Sequence, residues 1–375
     1  MKQRKLTGFV LAALLFCGGM TGCGGSDGAE LTKRVKPLEI EPLDGTAEFC
    51  DAQMQFAVSM LHQAAEKAEE NYVISPYLAA EAWLTAAAGS SAIQTSEAFG
   101  SISLSLLNGS FVRWRETQTD FTEVMSLWIP AAEKNSISPD VLRTFLGLSN
   151  TQVFAADQKQ NELERWLHDV SGDAFSGVSV PEDAGRILFS AASVSMKWNT
   201  PFYDNETVNK FFTGANGQKQ SVPFLCKEED SAVVIDDDTV RGLRRECGGN
   251  KYWFLALMPK SGTVGALLGS LTQEQLSDYI RSGTETTVRT VIPKLTLEET
   301  QDVSALVPAA GVPLIQHVRA EIGQGTDSAA FGMNLGEEVT SSGQIVLDHP
   351  FVFFLIDRQY GLPLFAGAVN RLPVK

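Results

Sequence analysis

Side chains able to carry out catalysis are few in this chain and lie scattered along it. The four histidines are His62, His168, His317 and His349. None has a second histidine at the i, i+4 spacing that puts two imidazoles on one helix face, so no helical metal site is expected. There is no Gly-x-Ser-x-Gly turn to expose a nucleophilic serine, and no phosphate loop ending in Gly-Lys-Ser/Thr. Asp236, Asp237 and Asp238 are consecutive, whereas a calcium loop needs alternating ligands and a glycine at its sharp turn. The triplet reads as a solvated turn. No cofactor is expected, and the chain is not read as an enzyme.

What remains is a segment suited to conformational change. Gly325-Thr326-Asp327-Ser328-Ala329-Ala330 holds none of the bulky residues that pin a chain to a core, and Phe331 to Leu347 has no strong helical period. Asp348-His349-Pro350 follows, and then Phe351–Ile356, continuously apolar and aromatic, reads as a strand buried on both faces. Compact domains usually join elements with ~2–6 residues, so a polar run this long entering a central strand is either functional or disordered.

The elements that must position this loop follow from periodicity. Phe49, Phe56, Met60 and Ala64 recur at helical spacing, Leu78–Ala88 is apolar nearly all round, and Leu163, Trp166, Leu167 and Val170 share one face of a helix over Glu162–Val170. Thr272-Gln273-Glu274-Gln275 is a capping box, with Ser282-Gly283 as its helix stop. Strands are expected at Ala191–Ser195, Trp253–Met258, Thr287–Ile292, Phe351–Ile356 and Leu364–Val369, the last two forming a hairpin around Asp357–Gly361. Helices in the first half, strands in the second and no βαβ alternation predict an α+β fold, one domain over residues 46–375.

Residues 1–22 read as a leader: Lys2, Arg4 and Lys5, a short apolar run from Phe9 to Phe16, then Met20-Thr21-Gly22-Cys23. The last four residues resemble a bacterial lipobox, which implies cleavage before Cys23 and a membrane anchor through lipid on Cys23, followed by a flexible tether over 23–45. No other stretch reaches the ~18 apolar residues that span a bilayer. The formal net charge of −15 argues against nucleic acid as a partner. Cys50, Cys226 and Cys247 remain after the leader and the anchor, an odd number that excludes a complete disulfide framework; pairing of Cys226 with Cys247 stays open.

Five segments in order resemble the serpin family: Asn71-Tyr72-Val73-Ile74-Ser75-Pro76, Lys197-Trp198-Asn199-Thr200-Pro201-Phe202, Leu257-Met258-Pro259-Lys260-Ser261-Gly262-Thr263, Val291-Ile292-Pro293-Lys294-Leu295, and the loop ending in His349-Pro350-Phe351. The resemblance covers roughly residues 46–373. It implies a large mixed sheet, smaller sheets, about eight or fewer helices, and an exposed reactive loop that a target protease attacks. The hinge would be Gly325, Thr326, Asp327, Ser328, Ala329 and Ala330, the cleaved bond Val339-Thr340, and Trp198 would mark the entry of the loop into the sheet. Val339 suits an elastase-like serine protease, with cysteine proteases as further targets, and the inhibitor would act as a monomer. The expected location is outside the cell, tethered to the bacterial envelope and facing outward.

The loop residues suit insertion as a strand. With Thr326 pointing inward, Ser328, Ala330, Gly332, Asn334, Gly336 and Glu338 do so too, mostly small side chains, while Asp327 and Phe331 point outward. No proline interrupts the run. Two features depart from the family pattern: Phe331 stands where a small residue is common, and the Ala310–Gly323 connection is short, with Gln316 and His317 as rivals for the central polar position. The alternative is a non-inhibitory serpin-like or other binding lipoprotein whose loop is cut as a substrate.

Overall fold

The computed structural model describes residues 28–372 except 46, 67–69, 91–92, 94, 119–120, 173, 182–183, 196 and 324–342. A short strand β1 (Ala29–Glu30) precedes helix α1 (Ala47–Ala65), which buries the expected stripe of Phe49, Phe56, Met60 and Ala64. Strand β2 (Tyr72–Ile74) ends at Ser75, whose hydroxyl accepts the Leu78 N–H at 3.1 Å and starts α2 (Pro76–Ala88), with Pro76 in the first turn. Helix α2 is buried almost all round, as its apolar composition requires. Helices α3 (Ser96–Phe99) and α4 (Leu104–Thr117) lead to β3 (Phe121–Ile129), α5 (Pro139–Ser149), β4 (Gln152–Ala155) and α6 (Lys159–Ser171). Then come β5 (Ile187–Ser195), β6 (Thr207–Thr213), β7 (Lys219–Asp236), β8 (Val240–Cys247) and β9 (Tyr252–Pro259). The last part holds α7 (Val264–Ser270), α8 (Gln273–Arg281), β10 (Thr284–Pro293), β11 (Leu295–Asp302), β12 (Leu314–Ile322), β13 (Gln344–Val346), β14 (Phe351–Asp357) and β15 (Leu362–Val369).

The strands form two sheets. The first has the order β1-β4-β3-β5-β12-β11, and the second β13-β10-β7-β8-β9-β14-β15-β2, with β6 attached to β7. In the first sheet β5 and β12 run parallel, from Leu314 opposite Leu188 to Glu321 opposite Ser195, while β3 is antiparallel to β5 and β11 to β12. The end holding Ile129, Ile187 and Leu314 is called the lower pole, and the end holding Phe121, Ser195 and Ile322 the upper pole. Helix α2 lies against the inner face with β14 and β15, every residue of which is buried. Helix α6 covers the other face, where Trp128, Trp166, Phe189 and Ile315 form a second, smaller apolar cluster.

The α+β class holds, with eight α-helices among the described residues. The capping box of α8 closes as expected: Thr272 accepts the Gln275 N–H at 3.1 Å and Gln275 accepts the Thr272 N–H at 2.9 Å. Gly283 adopts φ 106° just past that helix, a value suited to glycine. Three expectations are corrected, and the open question of the cysteines is answered. Strands β2, β3 and β4 lie in the first half of the chain, and β3–α5–β4 is a βαβ unit with parallel strands. Val170, in the last turn of α6, is 42% exposed and does not join the buried face of Leu163, Trp166 and Leu167. Cys226 and Cys247 are both free and sit on different strands. Residues 28–45 are also not a free tether. The Leu31 N–H reaches the Val153 carbonyl at 2.8 Å, Leu38 the Arg143 carbonyl at 2.8 Å and Leu43 the Gly109 carbonyl at 2.9 Å. The segment has backbone donors spaced to meet carbonyls that β4, α5 and α4 leave open, a match invisible to composition.

Candidate functional site

Strand β12 ends at Ile322 and passes through Gly323 into residues 324–342. Hinge residues Gly325–Ala330, the Val339-Thr340 bond and Cys23 all lie outside the described residues. Both roots of the loop are described, and they stand in different sheets. At the first, the Gly323 carbonyl accepts the indole N–H of Trp198 at 2.8 Å. Trp198 is 4% exposed and stands edge-on to Phe254 at 5.3 Å and to Phe202 at 6.0 Å. The guanidinium of Arg245 lies over both Trp198, at 4.5 Å, and Phe202, at 4.3 Å, and donates to the Thr200 carbonyl at 3.1 Å. At the second root, β13 runs parallel to β10, with the Arg289 N–H to the Gly343 carbonyl at 3.2 Å and the Leu347 N–H to the Val291 carbonyl at 2.9 Å.

Trp198 thus joins the end of β12 to β8, as the bridge between Trp198 and Cys247 also does. Arg245 was not legible as part of this site. In Val240-Arg241-Gly242-Leu243-Arg244-Arg245 a charged residue reads as solvent-facing, and only the tertiary cover of two aromatic rings makes it 3% exposed. A guanidinium suits such a place, being planar and weakly hydrated.

Strand β12 carries polar residues on both faces in its centre. Gln316 is fully buried and clamps the residue before α2: its side-chain oxygen accepts the Ser75 N–H at 2.8 Å, and its amide donates to the Ser75 carbonyl at 3.0 Å. The Ser75 hydroxyl donates to the Leu364 carbonyl at 2.7 Å. His317, one residue on, faces the α6 side, with Nδ1 2.8 Å from the Thr300 hydroxyl and its ring edge-on to Phe175 at 5.7 Å. Burial pushes its imidazole below the usual range, against the opposing pull of Glu298. Gln316 therefore holds the central position on the core side. The short Ala310–Gly323 connection still gives a nine-residue strand, paired with β5 and β11 over eight residues each.

At the upper end of β3, one guanidinium serves a buried carboxylate, Glu81, and a half-buried one, Glu123. Arg115 donates through Nε to Glu123 at 3.1 Å and through Nη2 to both Glu81 and the Leu148 carbonyl. Burial raises both acids, and the nearby Glu81 charge adds to the effect on Glu123, which Arg115 opposes; Glu123 rises to about 8. The Asp236–Asp238 triplet is a turn: Asp237 accepts the N–H groups of Thr239 at 2.7 Å and Val240 at 2.8 Å. Among the described residues no group of three or more His, Cys, Asp or Glu could hold a metal ion. Burial raises the Cys50 thiol to about 11 and the Cys247 thiol to about 12, which keeps both protonated at neutral pH.

A two-sheet protein whose central strand runs straight into a long segment, rooted by Trp198 at one sheet and by β13 at the other, defines a class. The family model of serpins, serine protease inhibitors, matches residues 51–322, and the chain belongs to that family. Among curated relatives, Iripin-2 of Ixodes ricinus is 24% identical over 245 residues, covering 58% of this chain and 62% of that protein. A probable non-inhibitory serpin-Z5 of Arabidopsis thaliana is 25% identical over 341 residues, 80% of this chain and 78% of that one. The chain spans 62% and 78% of the lengths of these two relatives. The native structure of the thermophilic serpin tengpin superposes with a TM-score of 0.79 at 20% identity, covering 92% of this chain and 100% of that one. Native protease nexin-1, solved with heparin, gives 0.71 at 16% identity, over 87% and 99%. Both share the fold.

Proposed function

We propose that this chain is a serpin-type inhibitor of serine proteases, elastase-like ones first and cysteine proteases as further targets. It would act as a monomer without a cofactor, held to the bacterial envelope through lipid on Cys23 and facing outward. One observation carries the inhibitory part of the reading: the parallel pairing of β5 with β12. A segment that continues β12 through a turn must run antiparallel to it. Entering the gap between the two, it would replace one parallel contact by two antiparallel ones, which are slightly more stable per residue. On its other side β12 already pairs antiparallel with β11, so a strand entering there would gain no such exchange of a parallel contact for antiparallel ones.

The chemistry follows the loop. The protease hydroxyl or thiol attacks the Val339 carbonyl, the Thr340 amine leaves, and Val339 remains as an acyl group on the enzyme. Thr326 to Val339 is fourteen residues, on the order of 46 Å as a strand. Insertion would therefore drag the acyl-enzyme from the upper pole to the lower before water releases it. The small inward side chains Thr326, Ser328, Ala330 and Gly332 keep the desolvation cost of the early steps low. The competing reading is a non-inhibitory serpin-like or other binding lipoprotein that is merely cut; the outward Phe331 at the hinge is the residue that speaks for it. Incubation with a panel of serine and cysteine proteases separates the two. A denaturant-resistant complex of protease and chain supports inhibition, and clean cleavage with free, active protease refutes it.

A further inference from the structure

The two ends of the first sheet differ in what enters and leaves them. Strand β12 climbs from Leu314 to Ile322 and delivers the loop at the upper pole, where Trp198 holds Gly323. Strand β1 sits at the lower pole: Ala29 lies opposite Ala155, which in turn lies opposite Ile129. From there the chain climbs along β4, crosses α5 at Leu38 and reaches α4 at Leu43, each step fixed by a backbone hydrogen bond. Two glycines make this track. A Cβ on Gly147 would stand 2.4 Å from the Leu38 carbonyl oxygen, and one on Gly109 would stand 2.7 Å from the Glu41 carbonyl oxygen and 2.7 Å from the Leu43 side chain. No larger residue fits under the strap at either crossing. Gly28 lies five residue steps beyond Cys23, a reach of at most ~18 Å, whereas a released strap would reach ~80 Å from Cys23 to α1.

We propose that the docked strap polarises the molecule with respect to the membrane: the loop is offered at the pole away from the lipid, and insertion carries the trapped protease to the pole where the chain is anchored. This rests on the inhibitor and Cys23-anchor readings above. Its consequence is spatial. The protease meets the loop in open solvent and ends beside the lipid surface, out of reach of the substrates it was attacking.

The test uses the lipidated full-length protein in vesicles of phosphatidylethanolamine and phosphatidylglycerol that carry an acceptor dye on a headgroup. A target serine protease carries the donor dye. Energy transfer is compared between the encounter complex, made with protease whose nucleophilic serine is replaced by alanine, and the covalent complex. Transfer several-fold higher in the covalent complex is expected. Two variants isolate the strap: Gly109→Val with Gly147→Val, which blocks docking, and a glycine-serine insertion between Gly25 and Ser26, which lengthens the leash and leaves the body untouched. In both, the difference between the two states should largely vanish. Equal transfer in the two wild-type states overturns the proposal, as does an undiminished difference in the lengthened variant. A chain forming no covalent complex in detergent solution refutes the inhibitor reading itself, and one that does not stay with the vesicles refutes the anchor; either takes this proposal with it.

Discussion

Glu123 shows how one half-buried side chain couples this fold to pH. Burial, with the Glu81 charge beside it and against the opposing pull of Arg115, pushes the Glu123 carboxyl up to about 8, above the ordinary value of 4.5. The sign follows directly. Between those two values the unfolded chain has lost a proton that the folded chain keeps, so the stability this site contributes is complete below 4.5 and is lost as pH rises through about 8. Glu123→Gln should flatten that decline and stabilise the protein at pH 8 by roughly 1–3 kcal/mol. Urea unfolding of both proteins at acid and alkaline pH measures it, and an unchanged slope would contradict the assignment. Specificity is argued at the same scale. Val339→Arg changes one side chain of the loop and should switch the trapped enzyme from elastase-like to trypsin-like without altering the melting temperature. Sequencing the new amino terminus of the cleaved product checks the register, and a wild-type cut after Met333 or Glu338 would move the bond.

Strand β12 is the element on which the proposed insertion would turn, and Gln316 is its fastening to the core. Gln316→Leu keeps the volume but leaves the Ser75 N–H buried without a partner and removes one of the two bonds to the Ser75 carbonyl, which keeps the Ala79 N–H, at a cost of about 1–3 kcal/mol. The urea midpoint should fall with its slope unchanged. Thr326→Arg acts later. It would bury an unpaired charge in the first step of insertion, at several kcal/mol, and should turn an inhibitor into a substrate, with many more chains consumed per protease inhibited. Inhibition equal to wild type would rule insertion out. Much at this scale was readable in the chain. Apolar runs such as Phe351–Ile356 declare a buried strand without help, and Thr272 with Gln275 declares a helix start. What was not readable shares one cause, that its partners are distant in sequence. Phe121–Ile129 hides its strand behind Thr122 and Glu123, the latter tolerated only because Arg115 reaches it. The strap looked like a tether because its donors are met by β4, α5 and α4. Gln316 and His317 could not be ranked until their opposite faces were known.

At the scale of the whole molecule, the two sheets hold the loop by roots that cannot both stay as they are if the loop becomes a strand of the first sheet. In the proposed insertion, the Trp198 contact to Gly323 and the parallel β5–β12 ladder would both be given up. The inserted form would add fourteen residues of strand, each with backbone groups paired on both sides. On the proposed mechanism, cutting the chain once in the loop would remove the constraint of the second root and let the more stable arrangement form. The central claim is therefore tested by nicking the loop with a protease that is not trapped, and melting the intact and nicked proteins side by side by circular dichroism. The account predicts a markedly higher melting temperature for the nicked protein, together with a gain in strand signal. A nicked protein that melts at the temperature of the intact one would contradict it.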